Sequence, residues 1–420
     1  MRRTANHALG FSLVELMVAI AIGLIVLAGI ATVFMAQRQV VSSSSAQGAI
    51  QNADNAISAI LSPAIRGAGF TGCGTLANAG NRVSYSTAAT PWVFSRGNFS
   101  APVFGFDANG TDAGGSYAIT SLNAANETNG GDWTPALTGN LATGPTGAGL
   151  SEQGSDVLVL NGEIPGTHPM GVPVVDQSSV PNTFTVYNAG ATSNPNATPS
   201  FQFTDANGNP LSVPVTAVAV SDCAKSSIFV PVMTSSTAII NPVTVGPIGT
   251  RGAGNVSTQI APVYQDGVQL APMQQVAYFV GQGHGGQSAL YQAVLVGGQW
   301  NSQELIPGVD NMQVLYGVGL NGQITQYLSA KDVQKLQANP PAGVTSLPFN
   351  PWTIVNSIRI GFLIEGGLGS VPANSNPKQW NVLGTTITLP NLPPPNAAVP
   401  NDTRLRHVYV MTINLRNTTL

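Results

Sequence analysis

The chain has 420 residues, enough for one large domain or two smaller ones, and charged residues make up only 8% of it. Soluble globular proteins carry about 25% charged residues, and a net charge of -3 leaves no basic stripe that would bind nucleic acid. Hydrophobic residues at 43% argue against disorder for most of the chain, and the 47 Gly and 30 Pro favour a β-rich protein with many turns.

An apolar run over residues 11–36 contains a single charged residue, Glu15. The run exceeds the about 20 residues that span a bilayer, and it is too long for the about 7–15 apolar residues of a cleavable signal peptide. Arg2 and Arg3 suggest a twin-arginine signal, but the accompanying consensus is missing. With these arginines on the cytoplasmic side, the bulk of the chain is expected on the opposite side of the membrane.

The stretch "GFSLVELMVAIAI", which begins at Gly10, resembles the class III signal of type IV pilins and of type II secretion pseudopilins. This resemblance implies that a prepilin peptidase cleaves between Gly10 and Phe11 and then methylates the new amino group of Phe11. It implies a leader peptide over 1–10, and a transmembrane and filament-core helix over 11–36 that stays on the mature protein.

Glu15 is costly in this helix, because a carboxylate in the bilayer centre costs about 3 kcal/mol on insertion scales. The family resemblance gives it a role in subunit assembly, in which it meets the positive N-terminus of a neighbouring subunit. An unpaired subunit would then carry an uncompensated charge. The alternative is a glutamate near the membrane interface that snorkels to water. The cleavage motif beside Glu15 favours the assembly role.

After residue 36 the apolar residues recur at helical spacing among Ser, Gln and Asn. The members of this stripe are Val40, Ala46, Ile50, Ala53, Ile57, Ile60, Leu61 and Ile65. We therefore expect an amphipathic continuation of the helix over 37–68, with Pro63 as a candidate kink and Gly67 and Gly69 as its end. In pilins this half lies against a β-sheet. Coiled-coil pairing is the alternative, but no sustained heptads with charged flanks support it.

Further segments resemble, in the same order, those of the minor pilins called PilW. They are "RGAGFTGCGTL" (66–76), "VSDCAKSSIFVPV" (220–232), "YFVG" with "SALYQAVLV", "ELIPGVDNMQVLYGV" (304–318), "IVNSIRIGFLIEG" and "RLRHVYVMTINLRN" (404–417). The resemblance spans nearly the whole chain and is weakest over 78–200.

The region after the helix consists of short β-like runs bounded by Gly, Pro or Asn. Examples are "DVLVL", "TFTVYN", "QQVAYFVG", "NSIRIGFLI" and "HVYVMTINL", while "SAKDVQKLQANPPAG" favours a short helix. The expected fold is α+β and pilin-like, with the long N-terminal helix packed on one or two antiparallel sheets. We divide the rest into a β-rich, Gly/Asn-rich region over 69–230 and a C-terminal β-rich region over 231–420.

Cys73 and Cys223 are the two cysteines of the chain. In the cytoplasm they would be unrelated thiols, whereas in an exported protein a disulfide between them is the better interpretation. The bond would close a loop of about 150 residues, worth about 5 kcal/mol at most in the chain-entropy model.

Two patterns that suggest ligand sites have simpler explanations. "GQGHGG" has the G-x-G-x-x-G spacing from Gly281 to Gly286, but a strand-like run follows where a dinucleotide site needs a helix, so a hairpin loop is expected. "DANG" at Asp107 and at Asp205 offers oxygen ligands for calcium, but no Glu closes either loop at the EF-hand distance. Ordinary turns are expected there.

Scattered histidines and the lack of a Cys/His cluster or a Gly-x-Ser-x-Gly elbow give no anchor for a metal, a cofactor or an enzyme. The expected function is that of a minor pilin in the priming and assembly of a type IV pilus. Its partners would be other minor pilins, the major pilin, the assembly platform, the prepilin peptidase and a tip adhesin. It would move from the inner membrane, with its head in the periplasm, to the filament or its tip. Twitching motility, adhesion and DNA uptake are the downstream roles of the family.

Two alternatives remain open. One is a J-class pseudopilin of a type II secretion system, which shares the signal. The other is a membrane-anchored periplasmic binding protein or enzyme, for which the apolar run would be only an anchor.

Overall fold

The fold is that of a computed structural model, and the statements below concern the residues that it describes. These are 12–73, 99–119, 132–137, 151–168, 170–171, 174–176, 183–186, 200–205, 207–214, 217–222, 226–229, 231–233, 238–242, 269–296, 299–320, 322–336, 350–371, 379–389 and 403–416.

A single α-helix, α1 (Leu13–Gly67), forms the N-terminal part of the described chain. Its 55 residues span about 80 Å at 1.5 Å per residue. The Oγ of Ser12 caps the first turn, and Pro63 lies inside the last turns without ending the helix. The helix ends at Gly67, as predicted, and the two halves expected from the sequence are one continuous element.

The two halves of α1 differ in exposure. The large apolar side chains from Leu13 to Val41 are exposed. The buried side chains are Ala46, Ile50, Ala53, Ile57, Leu61 and Ile65, at intervals of three and four residues. The prediction that Val40 belongs to this stripe is wrong, since its side chain is 68% exposed. Val40 is on the helix before the first side chain that the head buries.

The rest of the described chain is mostly strand. The strands are β1 (Val103–Ala108), β2 (Ser116–Ala118), β3 (Trp133–Thr134), β4 (Val157–Glu163), β5 (Met170–Gly171), β6 (Val174–Asp176), β7 (Thr183–Val186), β8 (Ser200–Thr204), β9 (Pro210–Pro214), β10 (Ala217–Ser221), β11 (Ser226–Phe229), β12 (Pro231–Met233), β13 (Ala238–Pro242), β14 (Gln269–Gln282), β15 (Ser288–Val296), β16 (Gln299–Pro307), β17 (Val309–Val318), β18 (Gln326–Leu328), β19 (Val355–Glu365), β20 (Gln379–Val382), β21 (Thr385–Thr388) and β22 (Arg406–Asn414). A short helix α2 (Ala330–Lys335) and a 3-10 turn (Pro351–Ile354) lie among the later strands.

Among the described residues these strands form five sheets. The largest has nine strands in the order β11-β10-β14-β4-β1-β3, with β5 and β15 also paired to β14 and β16 paired to β15. A four-stranded sheet has the order β18-β17-β19-β22, and smaller ones are β12-β13-β7-β6, β2-β21-β20 and β8-β9. The pairing is antiparallel, as predicted, except between β2 and β21, which are parallel.

Helix α1 packs on two of these sheets, on β4 and β16 of the nine-stranded sheet and on β19 and β22 of the four-stranded one. Ile57, Leu61 and Ile65 are fully buried there, and each contributes about 1.5–3 kcal/mol by leaving water. In the same core, the rings of Tyr316 and Trp352 meet edge-on with their centroids 5.0 Å apart. The helix is therefore part of the core of the head rather than an appendage.

The loop predictions can be compared directly with the structure. "GQGHGG" forms the last two residues of β14 and the turn that leads to β15, so the predicted hairpin is confirmed. The second "DANG" is a turn in which Asp205 Oδ1 accepts hydrogen bonds from the amides of Asn207 and Asn209, each at 2.8 Å. The first differs from the prediction, because Asp107 is a buried residue of β1 and the turn begins only after Ala108.

Candidate functional site

The exposed half of α1 carries most of the large exposed apolar side chains among the described residues. It is the one described helix that is long and apolar enough to cross a membrane. Its large apolar side chains, such as Leu13, Ile25 and Met35, are each more than half exposed. Contiguous apolar surface of this size marks a membrane or protein contact.

Glu15 lies in the first turn of α1, and its side chain is exposed. Its amide N–H donates to the Oγ of Ser12 at 3.2 Å. Ser at the N-cap and Glu three residues later is the capping-box spacing, and an acid in the first turn is stabilised by the helix dipole by about 0.3–1 kcal/mol. This local role is a feature that the sequence analysis missed, although the S-x-x-E signal before the apolar run was there to find it.

An open groove of 740 Å³ lies where α1 meets the head, between the helix from Phe34 to Ala49 and the loop at Gly367 and Leu368. The Arg38 guanidinium stacks over the ring of Phe34 at 4.7 Å. Leu368 is 63% exposed. The apolar surface of the helix thus continues onto the head.

The loop that borders this groove is held by a cluster of ion pairs at the ends of β17, β19 and β22. Arg404 Nη1 lies 2.8 and 2.7 Å from the two carboxylate oxygens of Glu365. Arg406 Nη2 donates to Glu365 at 3.2 Å, and its Nε donates to Asp310 at 2.5 Å. Because Arg406 and Glu365 are buried, loss of one partner would leave an uncompensated charge, at a cost of about 3–5 kcal/mol.

Gly366 follows directly and sets the approach of the loop to α1. A Cβ at this position would stand 2.6 Å from the Cβ of Ala46, closer than side chains can come. The Gln39 side chain donates to the Gly369 carbonyl at 3.2 Å. The loop from Gly366 to Gly369 therefore fixes the point at which the helix leaves the head.

Of the other predicted site residues, the structure describes Cys73 alone. Gly10, Phe11 and Cys223 lie outside the described residues. Cys73 is disulfide-bonded, and its Sγ lies 3.5 Å from the Oγ of Ser221, two positions before Cys223 in the chain. The pairing of Cys73 with Cys223 and the role of Glu15 stay predictions.

Within the described ranges, no group of three or more His, Cys, Asp and Glu side chains has the arrangement of a metal site. His284, in the turn between β14 and β15, pairs instead with Glu304 on β16, with Nδ1 to Oε2 at 2.5 Å. His284 and the backbone amide beside it lower the pKa of Glu304 against the effect of its partial burial.

Comparison with known families bears on both ends of the chain. The model of the prokaryotic N-terminal methylation motif matches residues 6–31, which include the start of α1. The model described as Type IV Pilus-assembly protein W matches residues 277–417, which hold the β18-β17-β19-β22 sheet, β15, β16 and the last six residues of β14. The chain thus carries a PilW domain over its last third and a prokaryotic methylation motif at its N-terminus.

A solved structure, a type IV-like pilin from Thermus thermophilus, matches at 18% sequence identity and a TM-score of 0.18. The match covers 35% of this chain and 70% of that one. No curated protein matches the sequence. The two family matches confirm the predicted resemblance at the N-terminus and in the C-terminal third of the chain, and the N-terminal helix is long and apolar enough to cross a membrane.

Proposed function

We propose that the protein is a minor pilin that takes part in priming and assembling a type IV pilus, and that it enters the filament through α1. The observation that carries this proposal is the exposed apolar half of α1, which coincides with the methylation motif. A helix that only anchored a periplasmic enzyme would need neither the motif nor an acid in its first turn. Lipid covers this surface first, and neighbouring pilin helices cover it afterwards.

Glu15 acts when α1 passes from the lipid into the filament. The prepilin peptidase cuts between Gly10 and Phe11 and methylates Phe11, which leaves a positive amino group close to the first turn of α1. In a staggered filament, Glu15 of one subunit pairs with this group on another subunit. Removal from water and lipid strengthens the attraction, and a subunit without a partner retains a costly buried charge.

The head lies in the periplasm before assembly and at the filament or its tip afterwards. The disulfide bond of Cys73 supports an oxidising compartment. The partners are other minor pilins, the major pilin, the assembly platform and a tip adhesin. The groove beside Leu368 is the part of the head best placed to meet a neighbouring helix.

Mass spectrometry of the mature protein tests the filament class. We expect a chain that begins at N-methylated Phe11. An intact Met1, or a cut beyond Ala36, would contradict the proposal, because either product lacks the processed helix that the filament needs.

A deletion strain complemented with variants tests the assembly role. The deletion should remove surface pili and leave type II secretion intact, whereas the reverse outcome would favour a J-class pseudopilin. Glu15→Ala should reach the membrane at the wild-type level and be depleted at least tenfold from sheared pili. Val410→Ala, at an exposed position of the head outside α1, is the control. Equal recovery of both variants in pili would refute the role of Glu15.

A further inference from the structure

A second cleft, of 240 Å³, lies at the other end of the buried half of α1, where the helix ends against β4 and β14. Its polar lining comes from Glu163, Thr167, Gln274, Tyr278, Gln292 and Asn161. The side-chain amide of Asn161 is already engaged, since it donates to the Ala101 carbonyl and accepts from Gln275. Leu160, Ile164 and Val276 supply apolar walls. A pocket with apolar walls and a few convergent polar groups is the usual form of a small-molecule site.

The helix end is fixed firmly enough to form one wall of this cleft. The Gly69 amide donates to the Asn161 carbonyl at 2.7 Å, and Ala68 forms a β-bridge with Gly162. Gly162 comes so close that a Cβ there would stand 3.0 Å from the carbonyl oxygen of Gly67. The wall is thus built by direct backbone contact between α1 and β4.

Glu163 is the acidic group of the cleft, and its carboxylate is poorly compensated. The nearest hydroxyl, Thr167 Oγ1, is 3.4 Å from Oε1, and its short hydrogen bond of 2.7 Å goes to the carbonyl of Ile164. Burial raises the pKa of Glu163 to about 7, which the Thr167 hydroxyl opposes. Arg66, the basic residue in the last turn of α1, and His168 are exposed, and neither lines the cleft.

The end of α1 adds to the negative potential. The C-terminus of a helix carries about half a negative charge and attracts cations within its last turn. Ala64, Gly67 and Ala68, from that turn and its cap, line the cleft. The Glu163 carboxylate and the C-terminal end of α1 therefore both favour a positively charged ligand.

The remaining polar groups are neutral. The Tyr278 hydroxyl accepts a hydrogen bond from Gln292 Nε2 at 3.3 Å, and burial raises the pKa of Tyr278 to about 12, so the phenol stays protonated. Gln274 and Gln292 add amide oxygens that accept hydrogen bonds from N–H groups. These groups suit a ligand that carries several N–H donors.

We propose that this cleft binds an organic cation, an ammonium or guanidinium group on a short aliphatic stem, with the charge between Glu163 and the end of α1. The stem lies along Leu160, Ile164 and Val276. An anion would meet like charge from both directions. A neutral ligand would leave the carboxylate uncompensated. This function is independent of the proposed assembly through the exposed half of the helix.

The test uses the full-length protein in detergent and isothermal titration with n-butylguanidinium, n-butanol and butyrate. We expect only n-butylguanidinium to bind at pH 8. Its affinity should fall about tenfold at pH 6, because a carboxyl with a pKa of about 7 passes from about nine-tenths to about one-tenth ionised.

Variants locate the site. Glu163→Gln should lose at least tenfold in affinity at pH 8 and should bind equally at pH 6 and pH 8. Glu304→Gln, which removes a carboxylate of β16 that pairs with His284 and does not line the cleft, should bind as the wild type does. The proposal is overturned if n-butanol binds as well as the cation, if Glu163→Gln retains binding, or if the wild type binds no cation. If Glu163→Gln fails to fold, the pH dependence of the wild type still decides.

Discussion

Replacing Gly366 by alanine should weaken the junction between α1 and the head. The added Cβ would stand 2.6 Å from the Cβ and 3.2 Å from the Cα of Ala46. Both contacts are shorter than ordinary van der Waals distances, and the atoms of Ala46 belong to a helix that is packed on two sheets. Either the loop or the helix must move, and overpacking of this kind costs about 1–3 kcal/mol.

Denaturant unfolding of the full-length protein in detergent, followed by tryptophan fluorescence, measures this loss. Trp133 and Trp352 are buried and report on the core. Gly366→Ala should lower the free energy of unfolding by about 1–3 kcal/mol. Gly367→Ala is the matched control, since nothing lies within 4 Å of a Cβ at that position, and it should stay within about 0.5 kcal/mol of the wild type.

A double-mutant cycle tests the cause. Ala46→Gly removes one of the two clashing atoms, at a cost of about 1 kcal/mol in helix propensity. In combination with Gly366→Ala it should show a favourable coupling of about 0.5–3 kcal/mol. The reasoning would be refuted if Gly366→Ala and Gly367→Ala were equally stable, or if the cycle showed no coupling.

Three further predictions concern the core. Ile57→Ala should lower the free energy of unfolding by about 2–5 kcal/mol and Val40→Ala by less than about 0.5 kcal/mol, because Ile57 is fully buried and Val40 is 68% exposed. Equal losses for the two variants in denaturant titrations would contradict this assignment of the buried face of α1. Burial raises the pKa of Glu152 from 4.5 to about 8, so the folded state holds this proton more tightly and stability should fall as the pH rises from 5 to 8. Glu152→Gln should weaken this dependence of stability on pH. If the unfolding midpoints of the variant at pH 5, 6.5 and 8 change with pH as much as those of the wild type, Glu152 is not the cause of the dependence. The carboxylate of Asp156 accepts hydrogen bonds at 2.8 Å from two buried backbone amides, one on β1 and one on β17. Asp156→Ala should therefore lower the free energy of unfolding by about 1–3 kcal/mol for each amide. A loss below about 1 kcal/mol by calorimetry would show that water replaces the side chain.

Local patterns in the sequence predict the elements of this fold well. The spacing of Ala46, Ile50 and Ile57 identifies the buried face of α1, because helical periodicity is a property of neighbouring residues. Runs such as "SALYQAVLV" identify strands for the same reason. The prediction for Val40 failed because periodicity identifies the face of a helix that is buried, but not the residue at which the sheet beneath the helix begins.

Long-range pairing could not be read from the sequence. Strand β2 pairs in parallel with β21, and nothing local in Ser116 or Thr386 indicates this. The ion cluster of Asp310, Glu365 and Arg406 likewise joins residues that look like isolated charges along the chain. Glu163 reads as an ordinary strand end and becomes notable only when the end of α1 closes over it.

The distance between the membrane and the head follows from the continuity of α1. From residue 36, the end of the apolar run, to Gln39, whose side chain donates to the Gly369 carbonyl of the head, the helix rises about 4.5 Å. The headgroup layer of one leaflet is about 5–8 Å thick. If the apolar run fills the hydrocarbon core, the loop from Gly366 to Gly369 lies at the level of the lipid headgroups, and the head rests on the membrane surface rather than standing clear of it.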